Sequence, residues 1–263
     1  MKYLNGAEIA DYMKAAQATQ VRSLRAQRVE PKLVIIRNSD SPVIEKYVGL
    51  KRRYGEDIGV AVEDWKRDDI KQAIIDANND TSVHGVIVQL PLDGEMEIDE
   101  ILSQIAQYKD VDGLNEKSEF DSATATAINW LLAGYNIDLT KQKIAIVGRG
   151  RLVGGPLSKM WQNSGYDVKV FGRGSDLNEL AGFDLIVSAT GVPHLIKTEM
   201  IKPGAIIVDA GTASEGGVLV GDLDESVRER QDLAAITLKV GGVGPLTVAA
   251  LFEHVLMVAS KTH

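Results

Sequence analysis

The stretch Lys143–Pro156, KIAIVGRGRLVGGP, decides the fold. Ile144, Ala145, Ile146 and Val147 form a short apolar run ended by Gly148, the pattern of a central parallel strand buried on both faces. Gly148, Gly150 and Gly154 follow in close order. The first two permit positive φ and a close backbone approach to a ligand, while Gly154 and Gly155 lead into Pro156, which suits a first helical turn. Such a helix start offers unpaired N–H groups and the positive end of the helix dipole to an anion. The spacing, G-x-G-x-x-x-G, is one residue longer than the usual dinucleotide fingerprint. A glycine turn that only packs a helix on a sheet accounts for the same residues, so both readings stand on this stretch alone.

Upstream, strand and helix patterns alternate. Ile9, Met13, Val21 and Leu24 give helical spacing over Gly6–Arg28 before the breaker Pro31, and Leu33–Ile36 reads as a strand. The polar turn Asn38–Pro42 leads to a helix over Val43–Tyr54, then to a strand at Val60–Val62 and a helix over Ile70–Ala77. Val83–Leu92 is a third strand, followed by a helix face of Ile98, Ile101, Leu102 and Ile105. This alternation predicts a parallel α/β sheet with ligands at the carboxyl ends of its strands. Lys109–Gly113 breaks the periodicity, and the polar residues 115–124 mark a domain boundary, bridged by a helix over Ala125–Leu132. Beyond Pro156, strands at Val168–Phe171, Leu185–Ser188 and Ala205–Asp209 make a second open α/β sheet. Pro245–Ala259 closes the chain as a helix with Thr247 as its cap, able to pack back on the first domain.

The 263 residues, 44% apolar and 25% charged, suit one large or two ordinary globular domains. No apolar run approaches the ~20 residues of a membrane span, and charges interrupt the N-terminus where a signal peptide has its apolar region. A cytoplasmic protein without membrane partners is expected. The absence of cysteine excludes disulfides, thiolate zinc sites and cysteine nucleophiles. A net charge of −8, with Lys and Arg scattered, gives no nucleic-acid footprint. His84, His194, His254 and His263 have no metal-ligand spacing and read as satisfied or exposed histidines, so no metal is expected. Ser158, Ser188 and Ser214 lack a hydrolase nucleophile context.

Several residues are placed to do chemistry. In a nicotinamide-binding half, the end of the second strand selects the cofactor. That strand ends Phe171-Gly172-Arg173, and Arg173, with Arg149 as a second candidate, favours NADP over NAD because a guanidinium binds a phosphate bidentately. The alternative is that both are solvated surface charges, and the cofactor reading weighs more for Arg173 than for Arg149. Tyr47 and Lys51, four apart, share one helix face. Gln89 stands at the carboxyl end of a strand and Asp112 in a short loop, both positions suited to a ligand crevice.

These residues together resemble the bifunctional methylenetetrahydrofolate dehydrogenase/methenyltetrahydrofolate cyclohydrolase family. Five motifs in family order carry the resemblance: Tyr47-Val48-x-x-Lys51-Arg52, Val88-Gln89-Leu90-Pro91-Leu92, Lys109-Asp110-Val111-Asp112-Gly113, Val147-Gly148-Arg149 with Val153-Gly154-x-Pro156, and Gly241-Gly242-Val243-Gly244-Pro245-Leu246-Thr247. The resemblance implies an α/β fold of two open parallel-sheet domains with a cleft between them. The first, over 1–121 and completed by the C-terminal helix 246–263, would bind folate; the second, over 122–245, would be a Rossmann-type NADP domain.

The resemblance also implies roles. Lys51 is the catalytic amine, Tyr47 stacks on the pterin, Gln89 tunes Lys51, and Asp112 binds the pterin nitrogens. Leu90, Pro91, Gly242, Val243 and Pro245 contact substrate. Gly148, Arg149, Gly150, Val153, Gly154, Arg173, Thr190, Gly191 and Thr212 contact the cofactor, NADP or alternatively NAD. Tetrahydrofolate derivatives are the expected ligands and a homodimer the expected assembly. Five positions or segments depart from the family: Ile44 replaces a serine, Ser122–Ala127 keeps only a threonine of Pro-Cys-Thr-Pro-x-Gly, Gly150 replaces a serine, Arg173 stands where a serine is usual at the second strand's end, and Thr237–Val240 replaces Thr-Pro-Val-Pro. The substitutions near the cofactor leave a second reading, a folate-binding protein with impaired hydride transfer; the two-domain build with a lysine leaves a third, a shikimate-type NADP dehydrogenase, which the KDVDG and GGVGPLT motifs oppose.

Overall fold

Strand β2 (Lys32–Arg37), the middle of one parallel sheet, and strand β5 (Ile144–Val147), an interior strand of another, anchor the computed structural model, which describes residues 1–94, 97–215 and 218–261. The elements run β1 (Lys2–Leu4), α1 (Gly6–Ala26), β2, α2 (Pro42–Ile58), β3 (Ala61–Lys66), α3 (Ile70–Asn79), β4 (Gly85–Val88), α4 (Ile98–Ser103) and α5 (Ala123–Gly134). After these come β5, α6 (Gly154–Asn163), β6 (Val168–Phe171), β7 (Leu185–Ser188), β8 (Ile206–Asp209), β9 (Ala213–Glu215) and β10 (Val218–Val220). The short α7 (Glu225–Arg228), β11 (Ala235–Thr237) and α8 (Val243–Ser260) complete the chain. His263 lies outside the described residues.

One compact unit comprises Asp11–Ala123 and Val248 onward. Its sheet has the order β3-β2-β4, all parallel, with Val34↔Val86 and Val34↔Glu63 in register. The near-continuous Val/Ile run of β2 is buried on both faces, which is why it reads as apolar throughout rather than alternating. Helix α2 starts where Ser41 Oγ accepts the Ile44 N–H, with Pro42 in its first turn, and stops at Gly59, φ 85°. At its N-terminal end α2 is tied to the sheet by Arg37. This guanidinium lies against Asp64 in a two-point pair at 2.8 Å each and also meets Glu45 on α2 at 2.6 Å.

The apolar final helix explains itself in the same unit. By length and composition α8 could cross a membrane, yet its ring Phe252 stacks on Tyr54 at 5.1 Å and its Val255 packs so tightly on Gly85 that a Cβ there would sit 2.9 Å away. Gln17 donates to the Ala249 carbonyl and to Glu253, both at 2.9 Å. The apolarity of α8 is that of a core helix.

The second unit comprises Met1–Ala10 and Thr124–Thr247. Its six strands run in the order β1-β11-β8-β7-β5-β6, every pair parallel. Because β6 lies on one side of β5 and β7 on the other, the chain reverses its winding at β5. That switch point is where open α/β sheets hold their ligands. The glycine turn leaves β5 there. Phe171 and Phe183 meet edge-to-face at 5.5 Å in the core of this unit, and Trp161 is wholly buried with its N–H on Asn129 Oδ1 at 2.6 Å.

Some expectations change. The sequence assigns residues 1–121 to the first domain, but Met1–Ala10 belongs to the six-stranded unit: β1 pairs with β11, and the Ala7 N–H bonds the Gly241 carbonyl at 2.9 Å. That unit begins at Thr124 and runs to Thr247 rather than spanning 122–245. Helix α8 starts at Val243, so Thr247 is not its cap; the Thr247 hydroxyl instead donates back to the Val243 carbonyl at 3.3 Å. The strand predicted over Val83–Leu92 is only four residues long, and the chain turns away after Val88, with a cis Leu90–Pro91 bond.

A Cβ on Gly6 would lie 1.9 Å from the Gly242 carbonyl oxygen, a backbone atom with little room to move. Gly6→Ala is therefore expected to destabilise the six-stranded unit by about 1–3 kcal/mol, the usual range for overpacking. A lowered urea midpoint checks this; an unchanged midpoint contradicts it.

Candidate active site

In the three-stranded unit, β4 ends one residue before Gln89. The Gln89 N–H extends the sheet ladder to the Ile36 carbonyl at 2.8 Å, which fixes where its side chain begins. Its amide nitrogen donates to the Leu90 carbonyl at 3.0 Å, leaving Oε1 to face Lys51. Lys51, one turn after the half-buried Tyr47 on α2, donates from Nζ to that oxygen at 2.8 Å.

Asp112 enters from the loop after Lys109, and nearly every neighbour in that loop is tied down. Lys109 Nζ caps the end of α3 by donating to the carbonyls of Ala77, Asn78 and Asp80. Asp110 Oδ2 accepts the Asn115 N–H at 2.8 Å, and His254 of α8 holds the Val111 carbonyl at 2.8 Å while stacking on Phe120. Because a carbonyl only accepts, His254 carries its proton on Nδ1 here. Gly113 has φ 68°, and a Cβ there would sit 2.4 Å from the Asp121 carbonyl oxygen, so glycine is required.

Burial sets the protonation of the pair. Desolvation pulls the Lys51 amine below its ordinary range, partly offset by the negative charge of Asp112. Desolvation likewise pushes the Asp112 carboxyl up, against the pull of Lys51 and then His254. The arrangement therefore offers an amine that reaches its neutral form more readily than a surface lysine, hydrogen-bonded to a fixed amide.

The six-stranded unit supplies the cofactor candidates. Gly148 has φ 111°, and a Cβ there would meet the Ala189 carbonyl oxygen at 2.4 Å; a Cβ on Gly154 would meet the Gly148 carbonyl oxygen at 2.2 Å. The chain thus crosses itself at the switch point at a distance only glycine allows. Gly150 is different, with ordinary φ and open space around its Cβ position. The Arg149 side chain lies along the end of β6, its guanidinium 3.4 Å from the Val170 carbonyl and beside Gly172. Arg173 is exposed in the turn that follows. Of the two, Arg149 is the one held at the strand end, reversing the weight the sequence gives them. Helix α6 begins after Val153 with no side-chain cap, so its first turn, the crossing glycines and two guanidiniums form a donor set that fits a dinucleotide with a phosphorylated ribose.

Gly191 has φ 67°, and Thr212 lies next to it, its carbonyl oxygen 3.4 Å from where a Gly191 Cβ would be. Thr190 gives its N–H to Asp222 at 2.7 Å. Of the expected substrate contacts, Leu90 is half-buried and Pro91 exposed beside Gln89, while Gly242, Val243 and Pro245 form the loop and first turn of α8 in the six-stranded unit. Sequence reasoning missed Asp222, Asp209 and Arg228, which have no periodic or motif context; the trace they leave is Gly211 and Gly221, where any side chain would collide with the Asp222 and Asp209 carboxylates.

Fold and site thus define a two-unit α/β protein with a glycine-turn cradle of the nucleotide-binding kind in one unit and a half-buried lysine bonded to an amide in the other. Two family models match: "Tetrahydrofolate dehydrogenase/cyclohydrolase, catalytic domain" over residues 4–112 and "Tetrahydrofolate dehydrogenase/cyclohydrolase, NAD(P)-binding domain" over residues 122–263. The bifunctional protein FolD of Lactobacillus delbrueckii subsp. bulgaricus is 34% identical over 278 residues, covering 99% of this chain and 98% of its own. Among solved structures, the FolD methylenetetrahydrofolate dehydrogenase/cyclohydrolase of Campylobacter jejuni matches with a TM-score of 0.93 at 32% identity over 99% of both chains. The Trypanosoma brucei enzyme, complexed with NADP cofactor and inhibitor, matches at 0.90 and 27% identity over 98% of this chain and 97% of its own. The chain belongs to the tetrahydrofolate dehydrogenase/cyclohydrolase family.

Asp110 Oδ1 is buried without a partner among the described residues, and burial pushes the carboxyl up to about 6. Unfolded, it titrates near about 3.9. Between these values the folded state binds the extra proton, so its contribution to stability falls as pH rises from about 4 to about 6. Asp110→Asn should gain stability relative to the parent chain across that window in urea unfolding. A difference that does not vary with pH contradicts the assignment.

Proposed function

We propose that the chain oxidises 5,10-methylenetetrahydrofolate to 5,10-methenyltetrahydrofolate with NADP and hydrolyses the product to 10-formyltetrahydrofolate, in one-carbon metabolism. Membership of the family over the whole chain supports the pair of activities. The observation that carries the chemistry is the Lys51 Nζ–Gln89 Oε1 bond beside Asp112.

When bound, NADP supplies the acceptor for the hydride that leaves the methylene carbon. That step depends on alignment more than on a strong base. Gly148, Gly154 and the α6 start would hold its diphosphate, and Arg149 with Arg173 the ribose phosphate. Gly150, Val153, Thr190, Gly191 and Thr212 line the rest of that reading. Asp112 would hold the pterin nitrogens and Tyr47 stack on its ring, with Leu90, Pro91, Gly242, Val243 and Pro245 completing the substrate contacts.

In the second reaction, water adds to the methenyl carbon and must lose a proton. A neutral Lys51 amine takes it, and the resulting ammonium returns a proton to the ring nitrogen as the carbon–nitrogen bond breaks, leaving the formyl product and one net proton. Gln89 supports both states, since its oxygen accepts from the amine and the ammonium alike. A homodimeric, cytoplasmic enzyme is part of the same reading.

The test mixes the protein with methylenetetrahydrofolate and NADP and follows reduced nicotinamide and methenyl product by absorbance. Lys51→Met should lose about 10²-fold or more of the cyclohydrolase rate, the usual contribution of a positioned acid–base group, with folate binding retained. Full hydrolysis by that variant removes Lys51 from the mechanism.

A further inference from the structure

At the carboxyl ends of β7, β8 and β11 lies a buried polar chain that no catalytic role claims. Asp222 is wholly buried. Its Oδ2 accepts from Ser188 Oγ at 2.6 Å and from the Thr190 N–H at 2.7 Å, holding the loop that leaves β7. Its own backbone is fixed on both sides: the Asp222 N–H donates to Asp209 Oδ1 at 3.1 Å, and its carbonyl accepts the Ile196 N–H at 3.0 Å. Asp209 Oδ1 also takes the Gly211 N–H at 3.2 Å, while Oδ2 pairs with Arg228 at 2.6 Å. Arg228 in turn donates to the Thr237 carbonyl at 3.0 Å, and Thr237 Oγ1 accepts the Asp209 N–H at 2.9 Å.

Two glycines make room for this arrangement, one for each carboxylate. A Cβ on Gly211 would sit 2.0 Å from Asp222 Oδ1, and a Cβ on Gly221 would sit 2.0 Å from Asp209 Oδ2. Asp222 Oδ1 has no hydrogen-bond partner among the described residues. A buried carboxylate with an unsatisfied oxygen is a poor stabiliser, and an apolar residue of similar volume is often neutral or better. What the carboxylate does accomplish is positional: it pins the 189–191 turn and packs against the start of the 211–212 turn, at the strand ends where this class of sheet takes its ligand.

We propose that Asp222 is a positioning residue for nicotinamide dinucleotide binding, setting the Thr190–Gly191 and Gly211–Thr212 turns without touching the dinucleotide. The inference rests on the NADP-dependent reading above. A free Thr190 N–H and Ser188 hydroxyl would let the first turn relax, so affinity for the dinucleotide falls while hydrolysis, which uses no nucleotide, continues.

The test compares the full chain with Asp222→Ala and Asp222→Asn, titrating NADPH by its fluorescence and assaying methenyltetrahydrofolate hydrolysis without nucleotide. The alanine variant, which removes both hydrogen bonds to Oδ2, is expected to weaken NADPH binding about tenfold or more, and to raise KM for NADP while leaving the hydrolysis rate unchanged. The asparagine variant keeps an acceptor oxygen and should restore most of the affinity. Wild-type affinity in a folded alanine variant overturns the proposal, and so does a parallel loss of both activities. Should the alanine variant not fold, Ser188→Ala removes one donor from the same oxygen and is expected to weaken NADPH binding without changing hydrolysis; unchanged affinity there also overturns it. Failure of the unsubstituted chain to bind NADPH would instead refute the NADP-dependent reading itself.

Discussion

The hydrogen bond from Lys51 Nζ to Gln89 Oε1 is the constraint on which the catalytic unit depends. An amine in a desolvated position is useful only if its direction and protonation are both fixed. Gln89 fixes the direction because its backbone completes the β2–β4 ladder and its amide nitrogen is already committed to Leu90. The other half of the bond depends on where α2 sits, and Arg37 sets that by joining the end of β2 to Asp64 and Glu45. A buried cation held by several carboxylates suits a strut, since each carboxylate ties it to a different segment and the charge stays compensated.

Both units carry candidate site residues at or beyond the carboxyl ends of parallel strands, Gln89 in one and the glycine turn in the other, and both brace the neighbouring loops with buried polar groups. In one, Lys109, Asp110 and His254 tie the loop that presents Asp112. In the other, Asp222 and Asp209 tie the turns after β7 and β8. Burial works in two ways here. For Lys51 and Asp112 it shifts protonation toward the neutral forms, and for the carboxylates behind the turns it makes each hydrogen bond directional and hard to exchange with water.

Much of this was legible in the sequence, and the limits are physical. The apolar runs Leu33–Ile36 and Ile144–Val147 announced central strands because burial on both faces leaves no polar alternation to misread. Lys51, Gln89 and Asp112 were proposed from motif and strand-end position; the structure joins Lys51 to Gln89 by a hydrogen bond and puts Asp112 within electrostatic reach of the amine. Strands β1 and β11, three residues each, carry no periodicity long enough to see. The assignment of residues 1–10 failed for that reason, since pairing with β11 is a contact across more than two hundred residues. Arg149 outranked Arg173 because side-chain direction out of a glycine turn cannot be read from spacing. Asp222 was invisible for a related reason: its partners Ser188, Thr190 and Gly211 meet it only once three strand ends are side by side.

The central claim is that Lys51 is held in a desolvated, amide-bonded position that favours its neutral form. The most direct measurement is a titration of the Lys51 side-chain nitrogen by NMR in lysine-labelled protein, with the resonance assigned by its loss in Lys51→Met. The account predicts a midpoint clearly below the ordinary lysine value of about 10.4. A midpoint at or above that value would contradict it.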